Sequence, residues 1–187
     1  MARTASFGES HQPRQGWRLC IGGKNSSPGS YTGLRVGLAT AKGIAYTLEK
    51  PLIGLSTLSA LAAAAIQLSP TSIEASTQIF SMIDARRMEV FGAIYDASLK
   101  PILSEQAMVL DQTKWSSLIS QPTICIGNGH LKTKDFTSTH HLIYLDGNYT
   151  SQVLLDLAMA KWTAGQFEDL AYVGPNYLKE VYILPHK

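Results

Sequence analysis

The stretch from Ser27 to Gly43, SPGSYTGLRVGLATAKG, constrains the fold more than any other, because it joins a tight turn, a polar helix start and a helix face of small residues. Pro28 and Gly29 punctuate the chain, Thr32 has the chemistry of an N-cap, and from Gly33 a helical pattern runs to about Glu49. Leu34, Leu38, Ala41, Ala45 and Leu48 recur at three- and four-residue spacing and form one apolar stripe, which needs a sheet or another helix against it. On an adjoining line Gly33, Gly37 and Ala41 fall four apart. Glycine inside a helix costs roughly 1 kcal/mol relative to alanine, so this line predicts that a second backbone comes close.

Length and composition limit what surrounds that helix. With 187 residues, 45% hydrophobic and 16% charged, the chain is long enough for one or two compact domains with a real core. A net charge of +2 without a Lys/Arg-rich run does not argue for autonomous nucleic-acid binding. The Ala-rich run Leu58 to Leu68 is too short to cross a bilayer, and no secretory signal opens the chain, so the cytoplasm and no membrane partner are expected. Cys20 and Cys125 lie in short apolar runs and read as buried thiols rather than as a redox pair or metal ligands.

Taken in order, residues 1–18 are polar, show no periodicity and read as a disordered leader. LCIGG, Leu19 to Gly23, reads as a strand leading into the helix; PLIGLS is a second strand, and Thr57 caps an Ala-rich helix to about Leu68. The order β-α-β-α predicts a parallel pair with a right-handed crossover over residues 19–75. Ser69 to Ser76 is rich in Ser, Thr and Pro and marks the boundary with a second unit, residues 76–187. There, Gln78 to Asp84 and Met88 to Asp96 form a hairpin around Ala85, Arg86 and Arg87, and Ile102 to Leu110 extends it into a meander. A helix follows near Gln112 to Ile119, a strand at Thr123 to Gly127, a loop-rich stretch through His140 and His141 to Asn148, and a helix from Thr150 to Gly165 with Val153, Leu154, Leu157, Ala158 and Lys161 in register. The tail from Ala171 is expected to be extended, with its aromatic residues packed on the fold.

No motif for catalysis emerges. The turn before the first helix could meet an anion through Ser30 and Arg35, and the hairpin through Asp84 and Arg86, but capping, a surface pair and turn formation are the preferred readings of these residues. It has neither a P-loop ending nor GxGxxG. Ser30 lacks a nucleophile elbow, and His130, His140 and His141 lack the spacing that puts two imidazoles on one helix face. No catalytic, metal-binding or cofactor-binding residue is assigned, and no cofactor is expected.

Read together, SPGSYTGLRVGLATAKGIAY, PLIGLSTLSAL and MIDARRMEVFGAIYD resemble the TsaB (YeaZ) family of tRNA threonylcarbamoyladenosine biosynthesis proteins, from about Cys20 to about Glu180. The resemblance implies an α/β fold of the actin, Hsp70 and sugar-kinase (ASKHA) type with two lobes. The usual N-terminal strands have no counterpart here, so the first lobe is expected to be truncated. Ser27 also replaces a glycine common in the family. The implied function is that of a noncatalytic partner of the catalytic paralogue TsaD in threonylcarbamoyl transfer to adenosine of ANN-decoding tRNAs. A TsaE-like ATPase and a homodimer are further implied partners, with tRNA met only through the complex. The implied partner surface is the helix around Thr32, Gly33, Leu34, Gly37, Leu38, Ala41 and Ala45. The competing expectation is an independent metal- or serine-dependent hydrolase or peptidase, disfavoured by the lack of a metal pair or triad.

Overall fold

The computed structural model describes residues 20–21, 31–69 and 73–178. The first unit is β-α-β-α: strand β1 (Cys20–Ile21), helix α1 (Tyr31–Thr47), strand β2 (Ile53–Gly54) and helix α2 (Thr57–Leu68). β1 and β2 pair in parallel, as the pattern predicts. Two helix starts fall earlier than expected, α1 by two residues and α2 by one. α1 begins at Tyr31, which puts Thr32 inside its first turn, and α2 is capped by Ser56, whose side chain accepts from the Leu58 and Ser59 amides, rather than by Thr57. Ser56 has the extended backbone (φ −73°, ψ 137°) that an N-cap needs and Thr57 is already helical.

The larger sheet is built from β3 (Gln78–Asp84), β4 (Glu89–Tyr95), β5 (Pro101–Val109), β6 (Thr123–Ile126) and β7 (Leu142–Leu145), in the order β5-β4-β3-β6-β7. The first three form the antiparallel meander; β6 and β7 run parallel to β3. Central β3 is buried on both faces along nearly its whole length, so apolar residues stand side by side, Ile79 with Phe80 and Met82 with Ile83, instead of alternating. Ile79 and Ile83 meet Leu58, Leu61, Ala62 and Ala65 of α2, while Phe80 and Met82 face the opposite layer around Trp115 of helix α3 (Gln112–Leu118). Trp115 stacks on Phe80 at 6.1 Å between ring centroids. The alanines of α2 permit close helix–sheet approach, and Ala62 and Ala65 have no exposed surface. Gln78, buried at the start of β3, is tolerated because its amide donates to the Leu118 carbonyl and the Thr123 hydroxyl.

The stretch expected to be loop contains β7 and a 3₁₀ turn, Asn128–Thr133. LIYL is only four residues long and half-buried throughout, so it carries no alternation by which to recognise it. The last helix, α4 (Ser151–Thr163), is capped by Thr150 and buries Val153 against the α2 layer. It also reaches the first unit: Lys161 Nζ donates to the Gly54 carbonyl at 2.8 Å. Beyond α4 the chain returns along β2, with the Glu168 amide donating to Leu52 O, and covers α1 with Leu170 and Val173. The expectation that the tail packs all its aromatic residues fails at Tyr172, which is 88% exposed.

Candidate functional site

Two surfaces stand out, the outer face of α1 and the tip of the β3–β4 hairpin. The inner stripe of α1 is consumed within the chain. Ala41 (3% exposed) and Ala45 (2%) close on Leu52, with Leu38, Leu170 and Val173 around them. The stripe is shorter than its periodicity suggests, because Leu48 is exposed and Leu34 borders on exposure. One flank carries the cations, both engaged by the C-terminal segment. Arg35 Nε donates to the Tyr177 hydroxyl at 2.7 Å with its guanidinium over that ring, and Lys42 Nζ donates to Val173 O at 3.1 Å. The expected acidic surface partner for Arg35 is therefore replaced by an aromatic one.

The remaining face combines Gly33, Val36, Gly37, Thr40, Gly43, Ile44 and Thr47, which share one side of a helix at 100° per residue. It bears no charge. Val36 is 60% exposed, and a Cβ at Gly37 or Gly43 would meet nothing within 4 Å among the described residues. Thr40 and Thr47 donate their hydroxyls back to Val36 O and Gly43 O, four residues earlier, which satisfies their donors on the helix itself. Among the described residues the face is thus small, weakly polar and open. Of the residues expected to meet a partner, Gly33, Leu34 and Gly37 lie at or near it, Leu38 is half-buried, and Ala41 and Ala45 point inward because they fill the contact with Leu52. Ser30 and the side chain of Thr32 lie outside the described residues.

At the hairpin, Asp84 is the organising group. Its Oδ1 accepts from Lys132 Nζ at 2.5 Å and from the Arg86 amide at 2.7 Å, while its own amide donates to Asn128 Oδ1 at 3.0 Å. Lys132 also donates to Glu89 O, so one ammonium clasps both strands of the hairpin. The hydrogen bond from Lys132 holds the Asp84 carboxyl below its ordinary range, against a smaller opposing effect of burial. Arg86 (φ 71°) and Arg87 (φ 50°) occupy the left-handed region, a conformation that costs a non-glycine residue about 1 kcal/mol or more. Sequence reasoning found this charge cluster but not the adjacent clasp, since Lys132 lies far along the chain. Behind it, Gly127 (φ 92°) lies so close to β3 that an added Cβ would fall 2.3 Å from Met82 O, which excludes any side chain there.

The histidines do not converge. His130 is buried, with Nδ1 2.6 Å from Gly127 O and Nε2 3.2 Å from Asp146; His141 borders a shallow recess with Ile73, Glu74 and Thr123 at the other end of β6. Among the described residues no group of His, Cys, Asp and Glu is arranged to hold a metal. Cys125 is buried in β6 and burial pushes its thiol up to about 12, so it is no nucleophile in the native state.

A mixed sheet with helices on both faces, preceded by a parallel β-α-β-α unit, places this chain in the α/β class. Two Pseudomonas aeruginosa structures share the arrangement. One, described as similar to peptidase YEAZ, superposes with a TM-score of 0.60 at 22% identity, covering 82% of this chain and 71% of that one. The other, YeaZ, gives 0.58 at 23% identity with the same coverage. In sequence, the family described as "TsaD: tRNA N6-adenosine threonylcarbamoyltransferase" matches residues 25–164. The tRNA threonylcarbamoyladenosine biosynthesis protein TsaB of Escherichia coli is 27% identical over 81% of this chain and 67% of its own length. The Bacillus subtilis protein of the same name is 29% identical over 54% of this chain and 43% of its own length. The chain belongs to this TsaD-type family, and within it to the TsaB (YeaZ) branch.

Proposed function

We propose that this chain acts in the biosynthesis of threonylcarbamoyladenosine on tRNA as a noncatalytic partner subunit, binding a TsaD-like catalytic subunit through the outer face of α1. The observation that carries the reading is that face: uncharged, with open glycine positions and threonine donors already satisfied. A second helix can approach it closely and bury apolar surface without stranding a polar group. The names of the curated relatives supply the process. The same face fits a second copy of this chain, and a TsaE-like ATPase completes the expected set of partners, with tRNA handled by the assembly. In this reading residues 19–75 form one unit, which carries α1, and residues 76–187 the other. No described helix is long and apolar enough to cross a membrane, and cytoplasmic action is part of the proposal.

The test is reconstitution of the tRNA modification from a TsaD-like subunit, an ATPase subunit and this chain, with omission of each in turn. Modification should depend on this chain, and the chain should co-elute with the TsaD-like subunit. Equal modification without it refutes the reading.

A further inference from the structure

The β3–β4 hairpin is hydrogen-bonded at its base, carries two arginines at its tip and is separate from the α1 surface. Arg86 and Arg87 are exposed, and neither guanidinium has a hydrogen-bond or ion-pair partner among the described residues. The carboxylate of Asp84, two residues before Arg86, is engaged by Lys132 and by the Arg86 amide. Asn128 and Lys132 pin the base of the turn from the 3₁₀ segment, so the tip presents its two forks from a fixed frame. Both arginines sit at positive φ, where glycine or asparagine is accommodated with less strain. The backbone therefore gains nothing from arginine at these positions. What arginine supplies is the planar fork, which matches a phosphate oxygen pair better than a lysine does.

We propose that the Arg86–Arg87 tip is a docking point for the phosphodiester backbone of RNA. This rests on the reading that the assembly acts on tRNA, since that reading brings a polyanion to the complex. A net charge of +2 is too small for tight binding by the chain alone, so the tip acts as a local contact that adds to binding elsewhere in the assembly. Such a contact positions the nucleic acid without reading its sequence.

The test uses the full chain assembled with the TsaD-like subunit and an unmodified tRNA transcript as probe. Three versions are compared: wild type, R86G/R87G, and R86K/R87K. Complex formation is followed by size-exclusion chromatography, thermal stability by calorimetry, and tRNA affinity as a function of salt. The glycine pair should keep the assembly and hold or raise Tm, because it removes two left-handed non-glycine residues. It should weaken tRNA binding by about tenfold near 0.1 M salt and make the slope of log K against log salt shallower by about one for each arginine. The lysine pair should keep the salt slope and lose affinity only a few-fold. Unchanged affinity and slope in the glycine pair would overturn the proposal. So would a lowered Tm, which would make the arginines structural, or loss of subunit association, which would make the tip a protein contact. Failure of the wild-type chain to assemble at all would count against the partner reading instead, and then tRNA crosslinking to the chain alone at low salt would decide the tip by itself: crosslinks to the hairpin support it, their absence overturns it.

Discussion

Replacing Gly37 by leucine separates folding from association. Glycine in the middle of α1 lowers helix stability by about 0.8–1.0 kcal/mol relative to good helix formers, and leucine recovers most of this. A Cβ at this position meets no described atom within 4 Å, so the substitution carries no packing cost against the described residues. The free protein should therefore gain about 0.5–0.8 kcal/mol, which for a chain of this size raises Tm by about 2 °C. At a helix–helix contact the same side chain must be accommodated by a partner that expects none, and overpacking costs about 1–3 kcal/mol, or roughly 5- to 150-fold in Kd. Calorimetric melting of the isolated chain and titration against the TsaD-like subunit provide the two readings. A higher Tm with weaker binding is the expected pair. Unchanged affinity would show that no backbone approaches Gly37, and a lowered Tm would show that this face is already covered within the chain.

Three further outcomes follow from the geometry. Ala45→Leu forces bulk into the contact with Leu52 and Leu170 and should cost about 1–3 kcal/mol, whereas Val36→Asp on the opposite face should leave urea unfolding of the free chain within about 0.5 kcal/mol and weaken partner binding. Ser56→Ala should cost about 1 kcal/mol, read as a lower urea midpoint, because the Leu58 and Ser59 amides lose their acceptor. Since the Asp84 carboxyl is held below the ordinary aspartate range by the Lys132 hydrogen bond, the clasp is fully present above that range and is lost as pH falls through the lower native value. Amide exchange at Asp84 and Arg86 should accelerate over that acid range in the wild type, and Asp84→Asn should flatten the dependence.

Much of the architecture is legible in local patterns. Polar caps, proline and glycine punctuation and short apolar runs place α1, α2, the β3–β4–β5 meander, α3, β6 and α4 to within a few residues, because each follows from neighbours in sequence. Where the signal was local but shared by adjacent residues, as with Ser56 and Thr57, the reading slipped by one position. β7 was missed because a four-residue strand at half burial has no period of its own.

Local sequence patterns alone fix most of the elements, though not β7, together with the small-residue character of α1 and the charged tip of the hairpin. The sequence also carried the family resemblance. Only the tertiary structure decided which side of α1 remains open. Ala41 and Ala45 belong to the same apolar and small-residue pattern as Gly37, yet Leu52, Leu170 and Val173 cover them, two of these supplied by a segment more than a hundred residues away. Helical periodicity defines a face but not what lies against it. The same holds at the hairpin, where Lys132, which follows β6 in the chain, reaches Asp84 and engages the carboxylate two residues before Arg86. Burial and ion pairing depend on which distant atoms meet, and chain order alone does not contain that information.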